Sequence, residues 1–274
     1  MSNYARDSYR RRRQEEQMMF QRIAAEEAQI QKFLLLQQDD LISEFIGGEV
    51  SGDNPYVFTN PPLTLGSSVA VLNESPFSGG GNSYRFTTST SSFISTPGSS
   101  DWSFGTGDFT VEWFSYQTNI SQFQRIFTIG DYPSIEVGVS IENGTFYYWA
   151  NDSFRYSSSS ASTINQWYHW AVVRESGITK IFRDGQQLGS QITDTNVIDD
   201  ITTSLYIGNT NTPATNSALV GRLTNLRIVK GLAVYSGDFI VPTSNLTAVA
   251  DANPYGGSNT RAIGPNFTKL LLIP

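Results

Sequence analysis

The sequence has no cysteine and only one histidine, His169, in 274 residues. The first absence excludes disulfides, thiolate metal sites and a thiol nucleophile. The second excludes a histidine-rich metal centre and requires any Ser-His-Asp arrangement to use His169, which sits within an apolar run and reads as a structural imidazole. Charge is also sparse. Charged residues make up 16% of the chain, and 25 acidic against 18 basic residues give a net charge of −7, so a broad phosphate-binding surface and a nucleic-acid partner are not expected. The cluster Phe33-Leu34-Leu35-Leu36 is too short to cross a bilayer, and the first twenty residues carry arginines without an apolar stretch. Neither a secretory signal nor membrane insertion is therefore expected.

Glycine and proline are missing from residues 5–46, which are dense in Arg, Glu, Gln, Ala, Leu and Met, all good helix formers. Phe20, Ile23, Ile30, Leu34 and Leu41 recur at spacings of three, four and seven, with Glu27 and Gln37 interrupting the stripe. The pattern predicts a helical stalk or docking segment over 1–46. At about 1.5 Å per residue, 40 helical residues would span about 60 Å and would need a partner surface for the apolar stripe. Copies of itself, another protein's groove and the chain's own remaining domain all stay open as that partner. The run Arg10-Arg11-Arg12-Arg13 reads equally as a solvated helix end and as a contact for an acidic surface. Gly47-Gly48 supplies a helix stop, and Ser51-Gly52-Asp53-Asn54-Pro55 with Pro61-Pro62 gives a linker over 47–62.

What the rest of the chain does have is aromatic residues, 17 Phe, 13 Tyr and 5 Trp, set in short apolar runs divided by Gly, Ser, Asn and Asp. This pattern predicts strands near 83–87, 109–117, 125–129, 136–141, 145–150, 168–175, 179–183, 204–208, 221–230 and 269–273. No helical segment alternates with them, so the expectation over 63–274 is an all-β sandwich or barrel of antiparallel strands rather than a parallel sheet. Asn143-Gly144, Ser176-Gly177 and Asp184-Gly185 each stand between two such runs and predict tight hairpins. Tyr168 to Val173 is apolar at successive positions, which suits a central strand covered on both faces.

Several of these runs resemble a known family. Phe104 to Phe114, Asn165 to Arg174, Thr179 to Gly185, Leu205 to Gly208 and Gly221 to Gly231 follow in the order of the concanavalin A-like lectin/glucanase, laminin G-type jelly-roll domains. Tyr235 to Phe239 with Pro242-Thr243-Ser244 is similar to the close of versions found in tailed-phage virion proteins. The resemblance spans about residues 76–246. It implies a jelly-roll of two stacked sheets, a face that many relatives use for glycans, and often a nearby calcium ion. Some relatives hydrolyse glycosides with acids two apart on one strand, but here Glu112, Glu136 and Glu142 stand singly and no Glu-x-Asp-x-Glu pattern occurs. Two flanking carboxylates are needed for that reaction, so no enzyme activity is expected.

Sugar recognition needs ring faces beside planar polar groups. Tyr132, Trp149, Asn151, Asp152, Tyr156, Asn209 and Asn211 combine them and are the candidate carbohydrate contacts, although Tyr147, Tyr148 and Trp149 read equally as sandwich filling. Asp131, Asp152, Asp199 and Asp200 could give oxygens to calcium, and ordinary turn aspartates are the competing reading; no cofactor is required. Gly79-Gly80-Gly81 and Gly105-Thr106-Gly107 lack the third glycine and the helix of a phosphate cradle. The expected function is a virion structural protein at the particle surface, an appendage, fibre or decoration. Its helix would join it to other virion proteins and its sandwich would bind host-surface glycans, as a homo-oligomer with a trimer favoured. A non-viral carbohydrate-binding adhesin module and a purely protein-binding scaffold are the alternatives.

Overall fold

The computed structural model describes residues 57–58, 63–151, 153–159, 161–198, 204–252 and 259–274. All of them belong to one compact unit, Asp53–Pro274. The stalk expected over 1–46, with Phe20, Ile23, Ile30, Leu34 and Leu41, lies outside the described residues.

The described chain forms β1 (Val57–Phe58), β2 (Thr64–Leu65), β3 (Ala70–Leu72), β4 (Ser83–Phe86), β5 (Ile94–Thr96), β6 (Phe109–Gln117), β7 (Gln124–Ile129), β8 (Val137–Glu142) and β9 (Thr145–Ala150). It continues with β10 (Ser153–Ser158), β11 (Trp167–Glu175), β12 (Ile178–Arg183), β13 (Gln186–Gln187), β14 (Ile192–Thr193), β15 (Leu205–Ile207), β16 (Gly221–Lys230) and β17 (Thr268–Leu272). Ten strands make one sheet, in the order β1-β17-β16-β6-β11-β12-β13 with β4 beside β16, β3 beside β4, and β14 beside β12. Seven make the other, in the order β10-β9-β8-β7-β15-β5-β2. The neighbours that set this order pair antiparallel, including β16 with β6 and β15 with β7, which are far apart in sequence.

The turn chemistry places the hairpins. Asn143 and Gly144 have φ of 49° and 74°, Ser176 and Gly177 of 50° and 75°, and Asp184 and Gly185 of 50° and 77°. Positive φ at both central residues gives the turn twist that suits two antiparallel strands. β11 lies between β6 and β12, the central position expected for a strand apolar on both faces. The linker expected over 47–62 differs at one point. Val57 and Phe58 pair with Leu272 and Leu271, so this stretch closes the edge of the larger sheet beside the last strand.

Alternation along the strands divides the side chains between two layers. Phe109, Val111, Trp113, Trp170, Val172 and Leu226 of the larger sheet face Phe127, Val139, Phe146 and Tyr148 of the smaller one, and these form the main core. The opposite side of the larger sheet carries Ala171, Val173, Phe182 and Val229, covered by Ala233, Val234, Tyr235 and Ile263 of the segment that follows β16. A bulge where Asn225 has φ of 54° keeps Leu226 facing the core and turns Arg227 to the covered side.

Candidate functional site

On the outer face of the smaller sheet the register brings polar and aromatic residues of four strands into rows. Arg125 of β7 lies opposite Ser140 of β8, and Ser140 opposite Tyr147 of β9. Gly138 lies opposite Trp149, which in turn pairs with Phe154 of β10. The bulge between Arg125 and Phe127 puts Ile126 and Phe127 both into the core and leaves Arg125 on the outside. Contacts among these side chains close on themselves. The Trp149 and Phe154 rings meet edge to face at 5.7 Å, as do Phe154 and Tyr147 at 5.9 Å, and Tyr147 and Phe123 lie tilted at 6.1 Å. The Arg125 guanidinium carbon then lies 4.6 Å from the Phe123 ring and 5.7 Å from that of Trp149. The Trp149 indole donates to Ser140 Oγ at 3.1 Å, fixing its ring on this face.

Two of the rings at this end of the molecule are wet. Phe154 is 48% exposed and Tyr132, in the loop joining β7 to β8, is 51% exposed. The Tyr132 phenol is close enough to Arg125 to favour the charged guanidinium, although burial outweighs this and lowers its pKa to about 10. Asn211 accepts from the Tyr132 backbone N–H at 2.7 Å and ties this loop to the one after β15.

The residues chosen from sequence thus separate. Trp149 meets Arg125, Tyr132 lies near enough to act on its charge, and Asn211 touches only the Tyr132 loop, as a strut. Asn151, with φ of 48°, is exposed and follows the last residue of β9. Tyr156 pairs with the core-facing Tyr148, packs on the main core and donates its hydroxyl to the Leu188 carbonyl at 2.6 Å, so it does not share the Trp149 face. Asn209 is buried, and its side-chain oxygen accepts from Thr210 N, Ala214 N and Ser217 Oγ. It organises its own loop, because a buried amide is stable only when its hydrogen bonds are made inside. Asp152, Asp199 and Asp200 lie outside the described residues. Asp131 is exposed, and among the described residues no three His, Asp or Glu side chains gather as a metal site would require.

Sequence reasoning missed Phe123 and Arg125, and left Phe154 out of the candidate contacts although it stands in the Trp149 to Tyr156 run that supplied four of them. The available signal was Phe123-Gln124-Arg125 leading into an apolar strand, a cation beside a ring at the start of a run with outward positions.

The covered side of the larger sheet holds the strand acid. Glu112 is buried; its Oε1 accepts from Arg227 Nε at 2.9 Å and Nη2 at 2.6 Å, and its Oε2 accepts from the Tyr235 hydroxyl at 2.6 Å and meets His169 Nε2 at 3.1 Å. Burial alone would raise this carboxyl. Arg227, His169 and Tyr235 more than offset it and hold the pKa at about 2, down from 4.5. A carboxylate so strongly held is ill suited to donate a proton near neutral pH. A cleft of about 360 Å³ opens beside this cluster between Phe77, Phe114, Trp167, His169 and Pro242.

A profile of the concanavalin A-like lectin/glucanases superfamily matches residues 87–233, more than half of the chain. No curated protein sequence matches. Among solved structures, the binding domain of Paraclostridial Mosquitocidal Protein 1 is similar, with a TM-score of 0.48 and 14% identity over 68% of this chain and 46% of that one. The botulinum neurotoxin serotype G binding domain has a TM-score of 0.46 and 14% identity over 68% and 45%. Domain 4 of AbnA, a GH43 extracellular arabinanase from Geobacillus stearothermophilus in complex with arabinotriose, has 0.48 and 15% over 63% and 82%. The matches to the two toxin chains cover less than half of either.

Proposed function

Because the chain belongs to the concanavalin A-like lectin/glucanases superfamily, we propose that its sandwich binds carbohydrate on the outer face of the smaller sheet. The observation that carries this reading is the closed set of Trp149, Phe154, Tyr147, Phe123 and Arg125, with Phe154 open to solvent. Aromatic faces take the apolar side of a pyranose, and the guanidinium, the Ser140 hydroxyl and the Tyr132 phenol offer polar groups at its rim. The module binds without cleaving. Glu112 is engaged by three partners under the opposite sheet, and Glu136 and Glu142 stand singly in sequence.

The module's setting, on this reading, is the surface of a virus particle, with residues 1–46 docking on other virion proteins and holding the chain in a small homo-oligomer. The interrupted apolar stripe of Phe20, Ile23, Ile30, Leu34 and Leu41 supports a groove-bound helix, and the Tyr235 to Ser244 resemblance to tailed-phage proteins supports the particle. A glycan array probed with the full chain tests the binding. Retention of a defined glycan class is expected, and an array with no retained glycan would sink the reading. Mass spectrometry of purified virions tests the setting separately.

A further inference from the structure

Among the described residues three arginines, Arg125, Arg174 and Arg227, are buried. Two are satisfied. Arg174 donates to the carbonyls of Gly107, Asn196 and Gly105 at 2.8, 3.0 and 2.7 Å. Arg227 takes Glu112 with two nitrogens and gives a third to the Thr247 carbonyl at 2.7 Å. Arg125 is different. It is 7% exposed, its Nε and Nη1 are buried without a hydrogen-bond partner, and none of the ion pairs among the described residues includes it.

A buried guanidinium without an acceptor is costly, since its hydration has been lost and nothing in the protein replaces it. The Phe123 and Trp149 rings return part of that through cation–π attraction. They leave the donors in the plane of the guanidinium untaken. Even with burial pulling its pKa down to about 10, Arg125 is cationic at neutral pH. The position is built, since a bulge in β7 turns Arg125 out of the core and two aromatic rings hold its plane.

We propose that Arg125 is a carboxylate-binding residue and that the glycan taken by this face is an acidic sugar whose carboxylate meets the guanidinium along its Nη2 edge, Nη2 being the one nitrogen not among the buried unpartnered atoms. The proposal rests on the carbohydrate-binding reading above and narrows it to a ligand class. A guanidinium presents parallel N–H bonds matched to the two oxygens of a carboxylate, and the pairing is stronger where water is excluded. Trp149 and Phe154 would carry the sugar ring while Arg125 takes the acid. With a net charge of −7 the protein repels anions at long range. Affinity for the acid therefore comes from this short-range contact, and raising the salt concentration should weaken it little.

The experiment compares, on one array, uronate- and other carboxylate-bearing glycans with the same glycans after carboxyl reduction to the primary alcohol. Wild type, Arg125→Met and Arg125→Lys are each applied. Wild type is expected to hold carboxylated glycans and to lose about tenfold or more in affinity for the reduced forms, the worth of a charged hydrogen bond. Arg125→Met should remove the preference while melting no lower than wild type, because it takes away a buried unpaired cation. Arg125→Lys should keep part of it, having the charge without the fork. Equal binding of reduced glycans by wild type, or a bound set made only of sulfated neutral glycans, would overturn the proposal and leave the carbohydrate reading standing. An unchanged preference in folded Arg125→Met would do the same, assigning the guanidinium to an internal water. If wild type holds no glycan at all, the carbohydrate reading fails and this inference fails with it.

Discussion

Arg227 reaches Glu112 from a neighbouring strand of the larger sheet, 115 residues away in sequence, and places Nε and Nη2 at 2.9 and 2.6 Å from one carboxylate oxygen. Neither side chain is on the surface, and both lie beneath the segment carrying Tyr235. Removing one charge leaves the other buried without compensation, which costs about 3–5 kcal/mol. Glu112→Gln should therefore lower unfolding stability by at least about 3 kcal/mol in urea titration. A loss below about 1 kcal/mol would mean that the pair does not hold the covering segment in place.

The same carboxylate sets an acid limit. Its pKa is about 2 in the folded protein against 4.5 ordinarily, so its contribution is complete above pH 4.5 and is lost as the pH falls towards 2. The size is on the order of 3 kcal/mol. Stability measured from pH 6 down to about 2 should fall through that window in wild type and fall less in Glu112→Gln. Parallel curves would assign the acid limit to other groups.

Much of the fold was legible because it is written locally. The limits of β6, β9 and β16 follow from runs ended by turn residues, and the Asn143-Gly144, Ser176-Gly177 and Asp184-Gly185 hairpins need only their own backbone preferences. β10 was not legible. Ser153 to Ser158 holds Phe154 and Tyr156 among four polar residues, too little to mark a strand by itself, and β9 makes it one by pairing with it. Arg125 was missed for a related reason. An arginine near a strand end reads as a solvated residue, and its burial comes from the bulge that turns it outward beneath Phe123 and Trp149. Asn209 was misread in the opposite sense. Its amide stands in an Asn/Thr-rich turn that looks like surface, and only the loop closure by Ala214 and Ser217 shows it to be interior.

Trp149 and Tyr156, both candidates on sequence, should separate in experiment. Trp149→Ala is expected to leave a folded protein and cost about tenfold or more in glycan affinity, since the ring lies on the outer face. Tyr156→Phe removes the bond to the Leu188 carbonyl and should cost about 1 kcal/mol of stability with affinity unchanged. Calorimetric titration with thermal melts distinguishes them, and a binding loss in Tyr156→Phe would place the ligand on the wrong face for this account.

Gly185 turns from β12 into β13 with φ of 77°, and a Cβ there would lie 2.0 Å from the Phe239 carbonyl oxygen. Gly185→Ala should destabilise by about 2 kcal/mol or more, because left-handed strain and a backbone clash add. Gly79→Ala, where nothing lies within 4 Å, is the control and should change stability little. Equal melting temperatures for the two variants would show that the segment around Phe239 is not docked on this turn.

The central claim is that the outer face of the smaller sheet holds the ligand, and the tryptophan indole signals in a nitrogen-edited NMR spectrum test it directly. Trp102, Trp113 and Trp170 are core residues, Trp167 lines the cleft under the larger sheet, and Trp149 stands on the proposed face. Titration with the glycan best retained on the array should shift the Trp149 indole N–H progressively while the three core signals stay in place. A shift at Trp167 with Trp149 unmoved would put the ligand in the opposite cleft and contradict the account.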